Sequence, residues 1–195
     1  MPVRANLHKG LREPYEEMRA KALYRRDGAV VVVDTEAVRE LRRRGYGRPS
    51  EEGLLLDPWE ALYLVEKGRI EVLDSDEELK LTFQDLLKRL EALDKRTWAM
   101  YLIYRDLRER GYVVRGGFGP GLTFRLYARG EFGKKPARYI VYGILEGVPV
   151  QINGLEEALK MAQSYKKELI LAVIDRRGEV VYYSVSSWKA GGRRA

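Results

Sequence analysis

The side chains with which this 195-residue chain could move a proton or steady a charge are phenols, ammonium groups and guanidinium groups. It has no cysteine, which rules out disulfides, thiolate nucleophiles and thiolate metal sites. His8 is the single histidine, in a polar N-terminal arm where a lone imidazole reads as a solvated surface group. A histidine-rich zinc site is excluded, as is any mechanism needing a histidine further along the chain. No metal and no cofactor are expected. Position in the predicted elements marks none of these groups as catalytic, as two of them show. Tyr127 closes the alternating segment LTFRLY, on the face shared by Thr123 and Arg125, and Lys167 follows Lys166 where a helix gives way to an apolar strand. Taken alone, each has a plain structural reading. A tyrosine there is a half-buried strand residue, and free phenols titrate near about 10. A lysine there complements a helix dipole.

Charge points to a partner. Residues 1–95 carry 18 Lys and Arg against 20 Asp and Glu, and residues 96–195 carry 18 against 9, so the net +7 is −2 in the first part and +9 in the second. A basic half suits a polyanion, most simply a nucleic acid. The high charged content also suits the surface ion-pair networks of thermophiles. No run approaches the roughly 20 apolar residues of a membrane span. The N-terminus lacks a signal-peptide core. The expectation is a cytoplasmic protein with no membrane partner.

The elements around those residues are short and well punctuated. PYEEMRAKALYRR (14–26) can form a helix with Pro14 in its first turn. GAVVVVDT (28–35) reads as a buried strand, and TEAVRELRRRG (35–45) as a helix closed by Gly45. YGRPSEEG is a loop and LLL a short strand. DPWEALYLVEKG (57–68) is a helix capped by Asp57, with Pro58 in the first turn and Glu60 at the capping-box position. RIEVLD is a strand, and TFQDLLKRLEALD (82–94) a helix capped by Thr82.

YLIYRDLRERG (101–111) is an amphipathic helix ended by Gly111, followed by a strand, a glycine-rich turn and LTFRLY. ARGEFGKKPA (128–137) is a loop and RYIVYGIL (138–145) a strand. EGVPVQI reads as a turn and another short strand, and Asn153 as the cap of GLEEALKMAQSYKK, with Glu156 at the third position. ELILAVID and EVVYYSVSSW make a hairpin about DRRG.

The block YRDLRERGY, the glycine turn and FRLYARG resemble the archaeal tRNA splicing endonucleases, which carry YRDLRxRGY…G…FRLYxRG. The phrase YGRPSEEGLLLDPWEALYLVEKGRI resembles the N-terminal domain of the same family. The resemblance implies an α/β (α+β) protein: an N-terminal extension over 1–27, a small α+β domain over 28–95, a mixed-sheet nuclease-like domain over 96–188 and a flexible tail over 189–195.

It also implies a chemistry. RNA can be cut without metal by its own 2′-hydroxyl, leaving a 2′,3′-cyclic phosphate and a 5′-hydroxyl. A base takes the proton, an acid protonates the leaving oxygen and a cation steadies the phosphorane. In this family a tyrosine, a histidine and a lysine fill those roles. Tyr127 matches the tyrosine. Lys167, in AQSYKKELILAVID, matches the lysine of AHSxRKKL, with Lys166 one residue away. The histidine belongs to an HSxYLV phrase about ten residues beyond the tyrosine. Here KKPARYIVY puts Pro136 or Ala137 in its place, depending on where a one-residue gap falls, and neither can transfer a proton.

Some enzymes of the family pair two catalytic with two structural subunits. The expectation is therefore the structural subunit of a heterotetramer, partnered by a catalytic homologue and acting on bulge–helix–bulge introns of precursor tRNA. Arg125, Arg129, Lys134 and Lys135 are the candidate phosphate contacts. Val181, Tyr183 and Val185 of EVVYYSV, apolar on both faces, and Glu146 in the loop at 145–150 are the candidate subunit contacts. An active homo-oligomeric ribonuclease with the acid replaced, and a plain RNA-binding module, are the competing readings.

Overall fold

A computed structural model describes residues 20–76, 79–117 and 122–187. His8 and the tail at 189–195 lie outside them. The first sheet has the strand order β3-β4-β2-β1-β5-β6. Its strands are β1 (Ala20–Tyr24), β2 (Val30–Val32), β3 (Arg48–Ser50), β4 (Gly53–Leu56), β5 (Ile70–Asp74) and β6 (Lys80–Leu81). Only the β1–β5 pair is parallel.

Three expectations change here. Residues 20–24 are a strand and not part of a helix: AKALY buries Ala20, Ala22 and Tyr24 in alternation, and β1 gains ladders on both sides. The YGRP loop contains the exposed edge strand β3, where Pro49 is tolerated because an edge needs only one ladder. The four-valine strand is buried only through Val32, and Val33 faces solvent.

The helices form as their caps dictate. The Asp34 carboxylate accepts from the Ala37 N–H at the start of α1 (Thr35–Arg43). Asp57 and Glu60 close a capping box on α2 (Pro58–Glu66), and Thr82 and Asp85 close another on α3 (Phe83–Leu93). α4 (Thr97–Glu109) then runs beneath the second sheet.

That sheet has the order β11-β10-β9-β8-β7. It comprises β7 (Val113–Gly116), β8 (Leu122–Tyr127), β9 (Tyr139–Leu145), β10 (Glu168–Ile174) and β11 (Val180–Val185), with only β9–β10 parallel. The crossover between them is α5 (Ile152–Ser164) on the opposite face from α4. Here too the expectation is corrected. No strand lies between β9 and α5, the helix begins at Ile152, and Asn153 sits inside it while Gln151 is the cap position. The chain leaves the sheet at Leu145 to make the crossover, so VPVQI has no neighbour to pair with.

The two sheets share one core. Tyr101, Ile103, Tyr104, Leu107 and Phe124 pack with Leu62 and Leu64, each such side chain worth about 1.5–3 kcal/mol when buried. Trp59 of α2 meets Phe124 of β8 edge-on at 5.4 Å.

A polar pin crosses the same junction. Arg115 of β7 donates to the Glu60 carboxylate at 2.9 Å and to the carbonyls of Gly45 and Gly47 at 3.0 and 2.7 Å. Glu60 is fully buried and also accepts the N–H groups of Gly47 and Asp57, each at 3.0 Å. Burial first, then the nearby Asp57, pushes its carboxyl up to about 7, against the pull of Arg115. Gly45 needs its positive φ of 80° to end α1 and to admit Val113 and Phe132, which a Cβ would strike.

Candidate catalytic site

Tyr127 ends β8 opposite Val113 of β7. It is half-buried, and its ring stands edge-on to Phe132 at 5.1 Å. Phe132 belongs to a tight loop closed by the Glu131, Lys134 and Lys135 N–H groups on the carbonyls of Ala128 and Glu131. That loop folds back until Phe132 reaches Gly45, so the first domain helps to brace the tyrosine. Two residues earlier, Arg125 donates to the Gly116 carbonyl at 2.9 Å, which ties the β7–β8 pair together near its glycine turn.

Lys167 is delivered by the end of α5. The Lys167 N–H donates to the Ala162 carbonyl at 2.8 Å and the Lys166 N–H to the Gln163 carbonyl at 3.0 Å, the two bonds of a Schellman cap. Such a cap needs a left-handed residue, usually glycine. Here it is Lys166, with φ 53°, the only non-glycine residue with positive φ among those described. The turn sends the Lys167 side chain toward the start of β9, where its ammonium donates to the Ala137 carbonyl.

The two predicted residues thus meet the same end of one sheet. The ladders set Leu126 beside Tyr139 and Tyr139 beside Glu168, so Tyr127 and Lys167 leave β8 and β10 with β9 between them. At two strand spacings their backbones are about 10 Å apart. Just ahead of β9 the Arg138 N–H donates to the Leu126 carbonyl at 3.0 Å, and Leu126 beside Tyr139 is the last pair of the β8–β9 ladder. Pro136 and Ala137 therefore belong to the approach to β9 and not to the strand itself. Ala137 is buried and Pro136 is exposed. This corner holds a phenol and an ammonium group with an alanine and a proline between them.

Around it the basic residues are spread on the surface. Arg129 and Lys134 are exposed and have no carboxylate partner among the described residues, whereas Lys135 pairs with Glu131 at 2.8 Å. The sequence reading missed Arg138, which sits just ahead of β9, pairs with Glu168 at 3.3 Å and lies over the Tyr139 ring. Its only signal was a basic residue just ahead of a strand.

The strand β11 is an open sheet edge. One of its faces is already covered within the chain, because Tyr182 donates to the Asp106 carboxylate at 2.7 Å from beneath α4. Burial, then that bond to a carboxylate, raises the Tyr182 phenol well above its usual range. On the other face Val181 and Tyr183 remain 49% and 54% exposed, while Val185 packs beside Ile140 and Leu169. Glu146 is exposed just after β9, its N–H held by the Ile174 carbonyl at 2.8 Å. Among the described residues no helix is long and apolar enough to cross a membrane.

Comparison with known proteins matches both halves. Residues 23–87 match the family model for the tRNA intron endonuclease N-terminal domain, and residues 97–182 that for the tRNA intron endonuclease catalytic C-terminal domain. The chain is 37% identical over 163 residues to a tRNA-splicing endonuclease of Methanococcus maripaludis, covering 84% of this chain and 92% of that one. It is 34% identical over 151 residues to one of Pyrococcus horikoshii, covering 77% and 86%. A third, from Methanococcoides burtonii, is 37% identical over 158 residues, which are 80% of this chain but 43% of that longer protein.

Proposed function

Since the chain belongs to the tRNA intron endonuclease family, we propose that it is the structural subunit of a heterotetrameric tRNA splicing endonuclease. In this reading the assembly cuts bulge–helix–bulge introns in precursor tRNA, and a homologous catalytic subunit supplies the complete site. One observation carries it: Tyr127 and Lys167 stand at the same end of one sheet, and Pro136 or Ala137 stands where the family's histidine acid is expected. A general acid contributes about 10²–10⁴ in rate. Without it, a phenol to accept the 2′-hydroxyl proton and an ammonium group to steady the phosphorane leave a feeble nuclease.

The same reading gives the remaining surfaces their work. Arg129, Lys134 and Lys135 contact phosphates of the precursor, and Arg125 shapes the strand pair that presents them. The open edge of β11, with Val181, Tyr183 and Val185, receives the catalytic partner, and Glu146 docks toward a basic pocket on it. An exposed apolar edge strand is a template for association, which supports an obligate partner over a free-standing RNA-binding module.

The test is cleavage of a bulge–helix–bulge RNA by the purified chain, alone and mixed with a histidine-bearing homologue. Cyclic-phosphate and 5′-hydroxyl ends formed only by the mixture are expected, and Tyr127→Phe and Lys167→Ala in this chain should leave that rate unchanged. Cutting by this chain alone would overturn the reading in favour of an active homo-oligomer with another group as acid. Binding without cutting in either sample would leave an RNA-binding module.

A further inference from the structure

At the end of α1 the run Arg42, Arg43, Arg44 precedes Gly45. The plain reading of a basic run at a helix end is that it complements the dipole. In this fold other groups do that work. Arg108 of α4 donates to the Arg44 carbonyl at 3.3 and 3.4 Å, and Arg115 of β7 donates to the Gly45 carbonyl at 3.0 Å. Arg43 and Arg44 pair with Glu40. Arg42 is left over, and so is Arg39 one turn before it. Both are exposed, and neither has a carboxylate partner among the described residues. Three positions apart, they share the face of α1 that points away from the buried Ala37 and Leu41. Two unpaired guanidinium groups side by side repel each other, and an anion between them reverses that cost.

The same end of α1 is built against the Tyr127 corner. The Gly45 N–H donates to the Arg42 carbonyl at 2.9 Å, so Arg42 stands in the turn that leads into Gly45. Phe132 packs over Gly45, where a Cβ would come within 3.3 Å of its ring, and meets Tyr127 edge-on at 5.1 Å. The loop that carries Phe132 also carries Arg129 and Lys134, exposed and likewise without a carboxylate partner among the described residues. Arg108 and Arg115 hold α1 in that place from the second domain. The Gly45–Phe132 contact thus joins two groups of unpaired cations, one from each domain, and guanidinium groups bind phosphate oxygens through paired N–H donors.

We propose that Arg39 and Arg42 extend the phosphate-binding surface of Arg129 and Lys134 onto the first domain, so that one RNA strand is held across the domain junction. The inference rests on the reading above that precursor RNA is the partner, and adds a helix of the first domain to it.

Fluorescence anisotropy of a labelled bulge–helix–bulge RNA, titrated with the full chain at several salt concentrations, tests this. Each phosphate contact contributes about 0.7–0.9 to the slope of log affinity against log salt. Arg39→Gln with Arg42→Gln should therefore flatten the slope by about 1.4–1.8 and weaken binding about 25–60-fold at about 0.1 M salt. Lys88→Gln with Lys95→Gln, which removes the same charge at exposed positions on and just after α3, should leave the slope unchanged. Arg39→Lys with Arg42→Lys keeps the charge and should keep the slope. A slope unmoved by the glutamine pair on α1 would overturn the proposal, as would equal flattening by the α3 pair or by the lysine pair. Flattening by Arg129→Gln with Lys134→Gln alone would then leave the RNA reading standing. A wild-type chain that binds no RNA would end both.

Discussion

Arg115→Ala tests how the two domains are held together. The arginine side chain is 13% exposed, its partner Glu60 is fully buried, and the pair meet at 2.9 Å. Removing one member of a buried, hydrogen-bonded ion pair costs about 3–5 kcal/mol, because the other charge is left in a low-dielectric site. Protonation of Glu60, whose folded value is near 7, caps that cost at about 1.4 kcal/mol per pH unit above it, so at pH 8–9 it reaches about 1.4–2.7 kcal/mol, a loss of about 3–11 °C in melting temperature for a chain of this size. The cost should depend on pH in a defined direction. Glu60 is raised from its ordinary 4.5 to about 7. A group raised on folding contributes stability that is fully present below its unfolded value and is lost as pH rises through its folded one. Wild type therefore loses stability between pH 4.5 and about 7. Without the cation opposing that shift, the variant's Glu60 rises further and its loss continues to higher pH. The gap between the two proteins, read from urea melts, should be small at pH 5 and grow steadily above pH 7 to about 2–3 kcal/mol at pH 9. A gap equal at both pH values, or below about 1 kcal/mol at pH 9, would refute the reasoning.

Lys166→Gly should stabilise the chain by about 1 kcal/mol, since glycine adopts the left-handed cap without the clash that a Cβ brings; thermal melts check it. Pro136→His, at an exposed position, should raise cleavage by the chain alone about 10²–10⁴-fold. Ala137→His, forced into a buried position, should instead cost about 1–3 kcal/mol of stability. Tyr183→Asp should change the stability of the isolated chain by less than about 0.5 kcal/mol yet weaken assembly with a catalytic homologue, as measured by light scattering of the mixture.

The parts of this molecule visible in the sequence are those set by local rules. The caps at Asp57 and Thr82, the stop at Gly45 and the apolar faces of α4 and β10 each follow from residues within one turn or one strand. What was not visible depends on neighbours distant in the chain. AKALY alternates as a strand should, but five residues inside a charged run gave no hint that β2 and β5 would flank them. VPVQI has strand composition and no ladder to join. Asn153 has the chemistry of a cap, yet α5 starts two residues earlier, at Ile152. Glu60 was legible as a capping-box residue and nothing more; only the arrival of Arg115 from the other sheet makes its second oxygen part of a domain junction.

The approach to β9 at Arg138 belongs to the same class and matters most for the site. Motif spacing left Pro136 and Ala137 as equal candidates for the acid's position because a one-residue gap can be placed on either side of them. How the two residues approach β9 follows from where the Arg138 N–H finds its acceptor, the Leu126 carbonyl, which is a property of the folded pair of strands and not of KKPARYIVY. The consequence is chemical. With Ala137 turned in and its carbonyl occupied by Lys167, the ammonium group is fixed by backbone and not by a neighbouring acid. The position of the ammonium group is therefore set by the end of α5 and the Ala137 carbonyl, and does not depend on the side chains at 136 and 137.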